Sequence, residues 1–250
     1  MIGLLVGLAW LRARGVSLRP RGWGSLTLRC AAGATAMFLF YWSLSSTGGG
    51  ADLPTATVLL KTNPLWVAAL APLVVREAPS RRTWFALGLG GVGVGLRYGV
   101  SLEGEQAGLV AALAAGVLSA LAYLSLRRLA RTDPPVVVVV WFSGFLALAA
   151  APFLGPALAS APWSAETWGL VLLAGSAGTA GQLLLTAAYR WGPASTVTVA
   201  GLSEVAFALV LSVALFGEQP SAAALAGGAL ALAAGAVAAR PPAEPPRPPT

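Results

Sequence analysis

Residues 195–239 read STVTVAGLSEVAFALVLSVALFGEQPSAAALAGGALALAAGAVAA. Residues 54–96, PTATVLLKTNPLWVAALAPLVVREAPSRRTWFALGLGGVGVGL, fall on them under a shift of 141 positions with no gap. The shift lays Thr55, Thr57 and Val58 on Thr196, Thr198 and Val199, and Glu77, Pro79 and Ser80 on Glu218, Pro220 and Ser221. Each copy is a long apolar run, a break of the form Glu-x-Pro-Ser, and a second apolar run rich in Gly or Ala. A repeat of this kind in a very hydrophobic chain predicts a duplicated helical membrane protein with any transport site near the repeat interface.

Composition agrees. Hydrophobic residues make up 57% of the 250 and charged residues 10%, with a mean hydropathy of +0.76. A soluble domain carries about 25% charged residues. The net charge of +7 comes from short arginine clusters between apolar runs, which the positive-inside rule explains better than nucleic-acid binding does. The single cysteine, Cys30, excludes an intrachain disulfide, and the absence of histidine removes His-ligated zinc and His-activated nucleophiles. No metal, cofactor or enzymatic activity is expected.

Nine apolar segments follow one another: a short one over residues 1–11, then 24–45, 54–75, 82–100, 107–126, 136–158, 167–188, 195–216 and 221–239. Apart from the first, each approaches the roughly 20 residues that a helix needs to cross a bilayer. The expected class is therefore all-α, a polytopic helical membrane protein. Residues 1–104 form a first repeat of about four spans, residues 105–239 a second of five, and residues 240–250 a disordered proline-rich tail. Arg12–Arg21, Arg76, Arg81, Arg82, Arg127, Arg128, Arg131, Arg190 and Arg240 lie in alternate connections. Asp52, Glu103, Glu105, Glu166 and Glu218 lie in the others, with Arg97 as the basic exception. The basic side is expected to be cytoplasmic, with the C-terminus inside and the protein in the bacterial inner membrane. The two copies then cross in opposite senses, an inverted-topology repeat.

Ionisable groups deep in a span are costly and are functional candidates by default. Lys61 lies about seven residues into its span and Glu204 about nine. The shift places Glu204 on Asn63, so a Lys61–Glu204 contact across the pseudo-twofold is expected, either as a coupling site or as a structural ion pair. Pro64 breaks the backbone hydrogen-bond ladder in mid-span. Trp66 and Trp141 are candidates to wall a pocket or to pack between helices. Asn63, Gln182 and Ser203 are polar groups for a substrate or for bridging helices. Trp10, Trp23, Trp84, Trp163, Trp168, Tyr189 and Trp191 read as interfacial anchors. Gly88, Gly90 and Gly93 spell a nucleotide-loop pattern inside an apolar span, where helix packing through Gly91 and Gly95 is the better account. Glu77 and Glu218 read as turn-forming groups.

The segments LTAAYRWGPASTVTV (185–199), FALVLSVALFGEQPS (207–221) and LLKTNPLWVAALAPLVVREAPS (59–80) resemble the EamA family of the drug/metabolite transporter superfamily. The resemblance implies two inverted five-helix repeats and secondary transport of small metabolites such as amino acids, amines or drug-like compounds. Export by alternating access is implied; the mid-membrane position of Glu204 beside Lys61 separately suits proton coupling or the binding of a cationic group on the substrate. Three departures stand out: no counterpart of the family's first helix, a longer loop at residues 47–50, and Val205 where a proline opposite Pro64 is expected. The first departure leaves a non-transporting subunit or remnant as the alternative. Membrane lipid and a small-molecule substrate are the expected partners, with room for a homodimer.

Overall fold

The computed structural model describes residues 2–45, 50–99, 105–160 and 163–240. The expected proline-rich tail, Glu103 and most of the lengthened loop lie outside them. Eleven helices are described: α1 (Ile2–Arg14), α2 (Trp23–Ser43), α3 (Leu53–Leu60), α4 (Asn63–Val74), α5 (Arg81–Tyr98), α6 (Gln106–Thr132), α7 (Pro135–Ser160), α8 (Ala165–Trp191), α9 (Ala194–Ala200), α10 (Glu204–Phe216) and α11 (Ala222–Ala239). No strand occurs among the described residues.

Two of the nine expected spans are interrupted. Residues 54–75 divide into α3 and α4 at Lys61 and Thr62, and residues 195–216 divide into α9 and α10 through a 3₁₀ turn at Gly201–Ser203. In the first copy Pro64 causes the interruption, because its ring excludes the carbonyl one turn earlier and it has no N–H to donate. Thr62 closes the turn by donating from Oγ1 to the Leu59 carbonyl at 2.7 Å. The second copy has no proline there, yet it breaks at the same place. Ser203 Oγ donates to the Ala200 carbonyl at 2.8 Å, a back-bond that bends helices. Among the described residues, six stretches are long and apolar enough to cross a membrane: residues 53–74, 106–132, 135–156, 165–191, 194–216 and 222–239. The first two helices fall short of that measure, as does α5, which carries Arg81, Arg82 and Arg97.

Shifted by 141, α4 begins where α10 begins, and α5 covers the same positions as α11. The Glu-x-Pro-Ser motif explains the match. Ser80 caps α5 by accepting from the Thr83 N–H, and Ser221 caps α11 by accepting from the Ala224 N–H, both at 3.1 Å. The helices before these caps also end alike, in the left-handed region, at Arg76 (φ 57°) and Gly217 (φ 64°). An L-residue pays about 1 kcal/mol or more there. Arg76→Gly is therefore expected to stabilise the protein by about 0.5–1 kcal/mol once the extra chain entropy of glycine is set against the relieved strain. A denaturant titration in detergent checks this, and no gain would contradict the strain.

Helix contacts follow small residues. The long helix α6 lies along α2 and also meets α3 and α4, while α5 lies along α11. Gly116 of α6 faces the α3 break closely enough that a Cβ there would stand 2.9 Å from Thr62 Oγ1 and 3.0 Å from the Leu59 carbonyl. Gly235 of α11 takes the same role against the second break, where a Cβ would meet the Ala200 carbonyl at 3.1 Å. In α5 the packing runs through Gly90 and Gly93. Gly91 has nothing within 4 Å, so the expected contact through it is corrected: α5 turns the other edge of its glycine run to α11. The apolar outer faces of α8 and α10, with Leu170, Leu172, Phe207 and Val210 exposed, suit a lipid surround.

Candidate functional site

The described helices leave a cavity of about 730 Å³ between α1, α2, α6, α7 and α8, with Leu60 at the end of α3 in its wall. On α2 its lining runs from Arg29 towards Tyr41, on α7 from Phe142 towards Leu154, and on α8 from Gln182 back to Val171. It therefore extends from mid-helix towards the end that carries Asp52 and Glu166. In the other direction it is stopped by packed side chains, among them Leu26, Val67, Leu124, Leu129, Val138 and Tyr189. Tyr189 is completely buried. Its ring stacks on Tyr123 at 6.0 Å between centroids, and its hydroxyl is 2.8 Å from Thr198 Oγ1. That corrects the reading of Tyr189 as an interfacial anchor. Lying near a span end does not by itself say which face of the helix a ring is on, and Tyr189 faces the bundle. Its near neighbour Trp191 is 89% exposed.

Arg29 is the polar centre of the cavity. It sits in the second turn of α2 and is only 4% exposed. One Nη donates to Gln182 Oε1 at 2.9 Å, and the guanidinium carbon lies 4.0 Å from the centre of the Phe142 ring. Among the described residues, its Nε–H is buried without an acceptor. Gly33 makes room for it, since a Cβ there would be 2.7 Å from the guanidinium. Sequence reasoning passed over Arg29 in favour of Lys61 and Glu204 because it lies only five residues inside an expected span, nearer the helix start than either of them.

Lys61 Nζ and Glu204 Oε1 form an ion pair between the two breaks, with side chains 19% and 58% exposed. Asn63 and Pro64 are buried at the start of α4. Trp66 donates from Nε1 to Thr62 Oγ1 at 3.1 Å and is partly exposed. Trp141 lies elsewhere, donating to the Leu18 carbonyl at 2.9 Å and meeting Trp23 edge-on at 5.2 Å, so that it braces the α1–α2 connection. Of the residues chosen from sequence, Gln182 is the one that lines the cavity among the described residues.

The arginine-bearing end is tied by Glu77. Its Oε1 accepts from Arg127 Nε at 2.8 Å and from Arg131, and its Oε2 accepts from the Ala194 N–H at 2.9 Å. Arg127 also donates to the Tyr189 carbonyl, and Arg128 to the Val74 carbonyl. Glu77 thus joins the α4–α5 turn, α6 and the start of α9. Among the described residues, its repeat counterpart Glu218 reaches only Ser212, at the opposite end. At the same end as Glu77, the buried Asp133 accepts from the backbone N–H groups of Arg21 and Gly22 at 2.7 and 3.2 Å and anchors the entry to α2.

Comparison with known proteins places this arrangement. A solved crystal structure superposes with a TM-score of 0.77 over 95% of this chain and 84% of its own, at 24% sequence identity. An uncharacterized transporter of Helicobacter pylori strain J99 is 28% identical over 209 residues, covering 80% of this chain and 67% of the relative. The pseudopaline exporter CntI of Pseudomonas aeruginosa is 25% identical over 232 residues, covering 92% and 79%. The model of the EamA-like transporter family matches residues 1–98 and 106–239. With that match spanning nearly the whole chain, this multi-pass membrane protein belongs to the EamA-like transporter family.

Proposed function

We propose that the protein is a secondary transporter that moves a small metabolite by alternating access, with the cavity beside Arg29 and Gln182 as the substrate chamber. The arginine-bearing end is cytoplasmic on this reading, and the cavity faces the opposite compartment while Glu77 keeps the cytoplasmic end shut. The observation that carries the proposal is the pair of helix breaks at repeat-equivalent positions, joined by the Lys61–Glu204 ion pair. Interrupted helices at a repeat interface supply polar groups in mid-membrane and a place to bend. Glu204 is the coupling group: protonation releases it from Lys61, and the two repeats are then free to change their relative tilt. Export is the direction favoured by similarity to the pseudopaline exporter.

The test is counterflow in proteoliposomes, using a compound selected by thermal shift from a metabolite library. Glu204→Gln is expected to lower transport at least about tenfold, the effect of losing about 1.4 kcal/mol of coupling, and to flatten its dependence on pH. Transport that keeps its rate and its pH profile in this variant would remove Glu204 from the mechanism.

A further inference from the structure

We infer that the chamber selects an anionic small molecule, a carboxylate with an apolar body, and that Arg29 is the group that binds it. This rests on the reading of the cavity as the substrate chamber and adds the class of substrate. A guanidinium cannot shed its proton, so Arg29 stays charged wherever it is placed. An arginine inside a membrane helix is costly unless something compensates it. Among the described residues its partners are a neutral amide, Gln182, and an aromatic face, Phe142. Neither supplies a negative charge, and the Nε–H has no acceptor among the described residues. Buried charges in folded proteins are paired. Here the countercharge is left for a ligand.

The fork of an arginine matches a carboxylate through two parallel hydrogen bonds. The rest of the wall decides what is attached to that carboxylate. Met37, Phe40, Leu146 and Leu154 are apolar, and Ser119, Ser143 and Thr179 add hydroxyls, that of Thr179 donating to the Gly175 carbonyl. A mostly apolar cleft with a few convergent polar groups is the usual form of a small-molecule site. The charge fixes one end of the ligand and the apolar surface takes the other.

The full chain in phosphatidylcholine nanodiscs would be melted with 3-phenylpropionate, its amide, or 3-phenylpropylamine. The carboxylate is expected to raise the melting temperature by about 3 °C at a concentration well above its Kd, and the amide and amine to leave it unchanged. Arg29→Gln is expected to cancel the shift and Arg29→Lys to keep part of it. Equal shifts from the amide or the amine, no shift from any probe, or an undiminished shift in Arg29→Gln would each overturn the assignment. If Arg29→Gln does not fold, the ranking of the three probes on the unaltered protein decides. Repeating the series in phosphatidylglycerol nanodiscs separates the two sources of anion. A shift that persists supports a small-molecule carboxylate, whereas one lost to the anionic lipid assigns Arg29 to a headgroup and overturns the proposal. These measurements read binding alone, so their failure leaves the transport reading to stand or fall on Glu204→Gln.

Discussion

Gly227→Val is expected to destabilise the protein by about 3 kcal/mol or more, while Gly91→Ala, in the partner helix, is expected to be neutral or mildly stabilising. At Gly227 a Cβ would stand 2.5 Å from the Gly93 carbonyl oxygen and 2.6 Å from the Arg97 backbone N. The reciprocal contact is as close, for a Cβ on Gly93 would meet the Gly227 carbonyl at 2.7 Å and the Ala231 N at 2.8 Å. These neighbours are backbone and have no rotamer to yield, so α5 and α11 must separate. In lipid, helix association rests on such close packing rather than on a hydrophobic drive, so separation loses the main source of attraction. Gly91 has open space beside it, and alanine there gains helix propensity. Unfolding by denaturant in detergent measures both variants. Equal stability of the two would show that the helices do not cross at Gly93 and Gly227.

Glu77→Ala is expected to cost about 3–5 kcal/mol, the usual result of removing one partner from a buried ion pair. The side chains of Glu77 and Arg127 are both largely covered, and the loss also frees the Ala194 N–H at the start of α9. Arg131 is more than half exposed and contributes little. Glu218→Ala serves as the comparison, since that side chain is exposed and among the described residues reaches only Ser212, and a change within about 0.5 kcal/mol is expected. A second readout is built into the chain. Cys30 is its single cysteine and is buried in the packed layer that closes the arginine-bearing end. If Glu77 holds that end shut, the variant should react with a thiol reagent at Cys30 at least about tenfold faster, corresponding to about 1.4 kcal/mol in the opening equilibrium. An unchanged alkylation rate would mean that Glu77 stabilises the turn without closing the pathway.

Much of the architecture is legible from residue spacing. The shift of 141 becomes matching helix starts at Asn63 and Glu204, matching serine caps at Ser80 and Ser221, and matching left-handed residues at Arg76 and Gly217. Capping and chain reversal are local, so a short motif decides them. The ion pair of Lys61 with Glu204 was also within reach, because the repeat symmetry fixes where the two groups stand relative to each other. Arg29 shows the limit of that reasoning. Its depth in a span could be counted, but nothing in the sequence says that Gln182 and Phe142, on two other helices, converge on it.

Sequence by itself determined a helical membrane protein with a duplicated core, since hydropathy and short-range motifs depend only on neighbouring residues and on the bilayer's demand for satisfied backbone groups. Only the tertiary structure decided which face each helix buries. Rotation about a helix axis leaves the hydropathy of an apolar span unchanged, so the choice between Gly91 and Gly93, or between an anchored and a buried Tyr189, falls to the shape of the neighbouring helices. The cavity beside Arg29 arises in the same way, from five helices that approach one another in space and not in the chain.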